Sequence, residues 1–143
     1  DEIMFQDYAN KLAPNSNLFV AVRFNGHFPV MKVRSVPKQE KPYPPLAEAV
    51  QHQAVFEYSG INGTVLGFRC PPFVKGVNVP SWHLHFISDD RTKGGHILGF
   101  ITTGGELQLD VCSRFYMMLT DQEQFAALDL SQNRSQELEK VEK

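Results

Sequence analysis

Three histidines stand close together, two in the run Trp82-His83-Leu84-His85-Phe86-Ile87-Ser88 and the third at His96. Successive side chains of a strand alternate between faces. A strand through this run therefore sends His83 and His85 one way, and Leu84 and Phe86 the other way into a core. Asp89–Thr92 suits a short loop. The return strand then pairs Ser88 with Lys93, Phe86 with Gly95 and His85 with His96. Directly opposed residues share a face, so all three imidazoles project from one side of a hairpin. Three neutral imidazoles leave a divalent ion with open coordination, the pattern of a catalytic rather than a closed structural zinc site. A bare His-x-His on a strand is more often a surface pair; the third histidine is what favours a metal. Imidazole also suits copper, nickel, cobalt and iron, so zinc is a preference. His27, after a turn signal, and His52, near the end of a short polar helix, read as solvated residues.

The elements that must position this hairpin are mostly strands. The opening segment reads as a short helix ending before Pro14. Leu18–Phe24 reads as a strand. Asn25-Gly26 is a type I′ turn signal, because both central positions need positive φ. The return strand runs His27–Val36, with Lys32 and Arg34 on one face and Met31 and Val33 on the other. Pro37–Pro45 is a proline-rich loop, followed by a short helix from Pro45 to about Gln53. Val55–Tyr58 and Thr64–Arg69 read as two strands joined by Ser59–Gly63. Further strands are expected over Trp82–Ser88, His96–Thr102, Glu106–Val111 and Phe115–Leu119, with a turn at Gly104-Gly105. The expected fold class is α+β: a mostly antiparallel β-sheet with one or two short helices.

The 143 residues suit a single domain with its own core. A net charge of -2 gives no electrostatic grip on nucleic acid or an anionic membrane. No apolar run reaches the length of a membrane span, and no signal-peptide pattern opens the chain. Cys70 and Cys112 lack metal or disulfide spacing and read as core or strand residues. A reducing, cytoplasmic location is the simplest expectation.

Two further runs extend the histidine motif into a resemblance. Val77–Arg91, closing with Gly94-Gly95-His96-Ile97-Leu98, is similar to a signature of the α-acetolactate decarboxylase family, and Val33–Leu46 resembles a second one. The tail Arg134–Glu142 resembles the family's C-terminal end. The likeness is colinear from about Val20 onward. It implies that His83, His85 and His96 are the three ligands of a zinc ion. It implies that Arg34 lines the site, and that Glu142, with Glu139 as the alternative, folds back towards the metal. The family also carries an N-terminal segment bearing a glutamate and a threonine near the metal, with no counterpart here. Residues 1–143 are therefore expected to be one zinc-binding domain, the C-terminal part of a longer protein.

The activity this resemblance implies is metal-dependent decarboxylation of a 2-hydroxy-3-oxo acid, (S)-2-acetolactate, to acetoin and carbon dioxide through a zinc-stabilised enediolate. Arg34 and Glu142 are the expected catalytic residues. Arg34 would bind carboxylate or enediolate oxygens through its planar fork, and Glu142 would return a proton. The expected partner is the small substrate, with a homodimer left open and neither nucleic acid nor membrane involved. Two other readings stand beside it. One is a cupin-like or hydrolytic metal enzyme, although a cupin's further histidine comes from a more distant strand. The other is a zinc-binding domain without activity.

Overall fold

A computed structural model describes residues 1–133; the tail run from Arg134 and the two glutamates Glu139 and Glu142 lie outside the described residues. Five strands form one antiparallel sheet: β1 (Phe19–Ser35), β2 (Ala54–Cys70), β3 (Ser81–Ser88), β4 (Gly94–Ile101) and β5 (Gly104–Cys112). Helix α1 (Glu2–Leu12) precedes them. Helix α2 (Leu46–Ala49) runs into a 3₁₀ turn at Val50–His52, and α3 (Glu123–Ala126) is a single late turn. This is the mostly antiparallel α+β fold that the alternation patterns predict. No helix among the described residues is long and apolar enough to cross a membrane.

β1 is the hub. One of its edges pairs with β2 along its whole length, and the other is shared between β5 and β4. β2 also pairs with β3, and β3 with β4, so β1–β4 form a closed circuit of hydrogen bonding. Phe24, Phe28, Phe86 and Phe100 fill the inside in edge-to-face contacts, with Phe28 at 5.4 Å from Phe86 and 5.6 Å from Phe100. Phe5 of α1 closes this cluster, its ring 5.4 Å from Phe24 and 5.5 Å from Phe100. Asp1 caps α1 by accepting from the Met4 amide. Arg69 ties α1 and the loop after it to β2, donating to Asn10 Oδ1 and to the Asn15 carbonyl.

Three expectations are overturned. Asn25-Gly26 is not a turn: β1 continues straight through it, and neither residue has positive φ. The two asparagine–glycine pairs of the chain lie in mid-strand instead. Asn25 accepts from Thr64 Oγ1 at 2.8 Å across the ladder, and Asn62 Oδ1 lies 2.7 Å from His27 Nδ1. Gly26 faces Gly63 on one side and Gly105 on the other. A Cβ on Gly26 would meet the Phe24 ring at 2.8 Å, and one on Gly63 the Phe86 ring at 2.6 Å. These glycines make room for aromatic rings lying against the backbone. Secondly, Ser59–Gly63 does not interrupt β2, because its register with β1 is unbroken from Ala54 to Arg69; Gly60 alone takes positive φ, at 61°. Thirdly, Phe115–Leu119 forms no strand. It finds no ladder partner among the described residues, and strand propensity is realised only on a paired surface. A smaller difference is that the bend before β5 falls at Thr102-Thr103, leaving Gly104 and Gly105 inside the strand.

Candidate metal centre

The β3–β4 hairpin has the expected register: His85 faces His96, Phe86 faces Gly95, and the Ser88 amide donates to the Lys93 carbonyl. Asp90 shapes its tip. The carboxylate accepts from Ser88 Oγ at 2.6 Å, from the Thr92 hydroxyl at 2.8 Å and from the Thr92 amide at 3.0 Å. These donors, Ser88 first, pull its pKa down to about 2.

Alternation does the rest. Leu84 and Phe86 are buried in the core, so His83 and His85 stand on the outer face. The His83 and His85 rings stack with centroids 5.0 Å apart; the His96 ring stands across them at 4.9 and 5.2 Å. Their ligand nitrogens all lie within 4.8 Å of one another, and His83 Nε2 is 2.9 Å from His85 Nε2. A tetrahedral ion with bonds of 2.0–2.1 Å holds its ligand atoms roughly 3.3 Å apart. The three donors therefore fit one divalent ion, with small ring rotations to equalise the spacing. Their chemistry fits too: imidazole is a ligand of borderline transition metals. The group can hold a metal ion.

Arg34 joins this face through a local irregularity. Lys32 of β1 faces Gly99, but Val33 faces Ile97, so Leu98 is an extra residue in β4. After this bulge Arg34 faces His96 directly. One row thus crosses four strands: Leu66, His85, His96 and Arg34. Gly95 allows the close approach, since a Cβ there would lie 2.5 Å from the Arg34 carbonyl oxygen. Arg34 is only 6% exposed. Its Nη1 donates to Gln53 Oε1 at 3.2 Å.

A cavity of about 380 Å³ lies over the triad, and Arg34, His83, His85 and His96 all line it. Val36, Leu46 and Val50 supply its apolar side. The structure therefore brings together four of the five residues expected at the site, while Glu142 lies outside the described residues. Leu46, Val50 and Gln53 went unseen in the sequence. Their helical spacing after the proline-rich loop was a usable signal for one apolar face, but nothing local says which surface that face meets. His27 and His52 are exposed and do not line the cavity, as expected of solvated residues.

Comparison with known proteins follows the same line. Residues 2–132 match the family model described as alpha-acetolactate decarboxylase. The chain is 49% identical over 138 residues to the alpha-acetolactate decarboxylase of Methanosarcina mazei, covering 96% of this chain and 48% of that protein. It is 39% identical to that of Methylococcus capsulatus, covering 96% of this chain and 53% of the relative. The crystal structure of alpha-acetolactate decarboxylase from Bacillus subtilis strain 168 superposes with a TM-score of 0.90 at 32% identity, over 96% of this chain and 59% of that one. The chain spans about half the length of the curated relatives it matches.

Proposed function

Since the chain belongs to the alpha-acetolactate decarboxylase family, we propose that it carries the metal-binding part of an enzyme that converts (S)-2-acetolactate to acetoin and carbon dioxide. The observation that carries this reading is the row of His85, His96 and Arg34 across adjacent strands, with His83 beside it, all opening into one cavity. That places a chelating group next to a fixed cation, which is what a 2-hydroxy-3-oxo acid demands.

The chemistry divides as follows. Loss of carbon dioxide leaves an electron pair on the former α-carbon, delocalised over the neighbouring ketone as an enediolate. Zinc, held by His83, His85 and His96, would supply Lewis-acid stabilisation of negative charge on the substrate oxygens. Arg34 offers a permanently charged planar fork that matches a carboxylate or a pair of enediolate oxygens. The hydrogen bond to Gln53 limits its rotation, so little reorganisation is needed when charge develops. Leu46 and Val50 line one side of the cavity with apolar groups. Glu142 is assigned the return of the proton on the strength of its motif alone.

A second reading is favoured by one observation, the half-length match: a metal-binding domain that is inactive by itself. Acetoin formation decides between them. The zinc-loaded protein should produce acetoin from (S)-2-acetolactate, lose the activity to a chelator and regain it with zinc. A protein that binds zinc stoichiometrically and forms no acetoin supports the second reading instead.

A further inference from the structure

The cavity over the triad has two chemically different sides. Its floor is strand and polar, made by Arg34 and the three histidines. Its wall comes from the helical segment after the proline-rich loop, which contributes Leu46 and Val50. Residues four apart share a helix face, so these two side chains present one apolar surface. Ala49, 4% exposed, anchors the segment from another side. Leu46 is 55% exposed, an unfavourable placement for an isobutyl group that the open cavity explains. Gln53 registers the wall on the floor through its hydrogen bond with Arg34.

We propose that Leu46 and Val50 are specificity-determining residues that receive the alkyl substituent on C2 of the substrate, an inference that rests on the decarboxylase reading above. The carboxylate, hydroxyl and ketone of a 2-hydroxy-3-oxo acid all engage the polar floor. The C2 alkyl group has no polar handle and must leave the floor. Against an apolar wall each added methylene strengthens binding by about fourfold. A bland surface ridge would show no such dependence.

The test compares kcat/KM for substrates bearing ethyl or methyl at C2. In parallel, calorimetry measures binding of 2-hydroxy-2-methylbutanoate and 2-hydroxy-2-methylpropanoate to the zinc-loaded protein, with zinc content checked for every variant. Leu46→Ala strips the wall from one side of the cavity and should lower the ethyl-to-methyl ratio by about fourfold, the worth of one methylene's apolar contact. Val50→Phe fills it and should lower the ratio by at least as much. Phe68, across from His83 on β2, borders a second cavity that shares only His83 with the first and neither wall residue, so Phe68→Ala should leave the ratio unchanged. The inference is overturned if both wall variants keep the parent ratio, if Phe68→Ala is the variant that shifts it, or if neither acid binds. Should the parent protein form no acetoin, the decarboxylase reading fails, and the calorimetric ratios still decide the role of the wall.

Discussion

Replacing Gly67 by alanine tests whether the spacing of β2 and β3 sets the geometry of the metal centre. Gly67 faces Leu84. A Cβ there would lie 3.0 Å from the His83 carbonyl carbon and 3.0 Å from Leu84 Cα, and would run into the His83 carbonyl oxygen. All three are backbone atoms, which cannot rotate aside. The strands must part or β3 must tilt, and either movement carries His83 with it. Overpacking of this kind costs about 1–3 kcal/mol. Removing a glycine from a strand returns roughly 0.5–1 kcal/mol. The net loss spans about 0–2.5 kcal/mol with a midpoint of about 1.25 kcal/mol, which is roughly 4–5 °C in Tm for a chain of this size. Zinc–ligand distances tolerate only about 0.2 Å, so a displaced His83 should also weaken zinc binding by tenfold or more. Thermal unfolding in the presence of a chelator reads the first effect; titration against a competing chromophoric chelator reads the second. Gly99→Ala is the control, because its nearest neighbour would be the Glu2 carboxylate at 3.8 Å, an ordinary contact. A Gly67→Ala protein that melts and binds zinc like its parent refutes the reasoning.

The other perturbations are simpler. His96→Ala removes one of three ligands and should weaken zinc binding beyond the roughly 10- to 100-fold expected for losing an outer partner; near-parental affinity would show that the ion sits elsewhere. Arg34→Lys keeps the charge and loses the fork and the hydrogen bond to Gln53, so kcat/KM for acetolactate should fall about 10- to 100-fold with zinc retained, the worth of a charged hydrogen bond. Asp90, held at about 2 against an ordinary 3.8, stabilises the hairpin fully above about pH 4 and loses that contribution as pH falls through about 2, because the unfolded chain takes up the proton first. Asp90→Ala should therefore melt below its parent at pH 7, with the gap narrowing between pH 4 and pH 2; a gap constant over that range argues against a charge-assisted cap.

Local rules recovered the histidine hairpin because everything it needs is local: a period of two, a short loop and two glycines for the return. They also put Met31 and Val33 on the face opposite Lys32 and Arg34, and both hydrophobic residues are fully buried. The same rules failed at Asn25-Gly26. A type I′ turn and a mid-strand glycine beneath a phenylalanine ring use the same dipeptide, and only the partners across the sheet, Gly63 and Gly105, distinguish them. Phe115–Leu119 failed for the converse reason, since its apolar composition says nothing about whether a neighbouring edge exists. The wall of the cavity was illegible because Leu46 and Val50 meet the histidines across a proline-rich loop, and no periodicity specifies where such a loop delivers its cargo.

The extra residue in β4 decides how the site tolerates a change of length. Hydrogen bonding alone would favour a ladder without Leu98, since a bulge leaves one residue of the strand unpaired. A chain lacking Leu98 would keep every histidine, every core phenylalanine and Arg34 itself. It would also bring Ile97 and Gly99 together opposite Val33 and Lys32, so the ladder closes regularly and His96 still faces Arg34. Deletion at this position is thus a mild event, because the bulge absorbs it. The juxtaposition of Arg34 and His96 is fixed by the pairs on either side of the bulge and not by the residue within it.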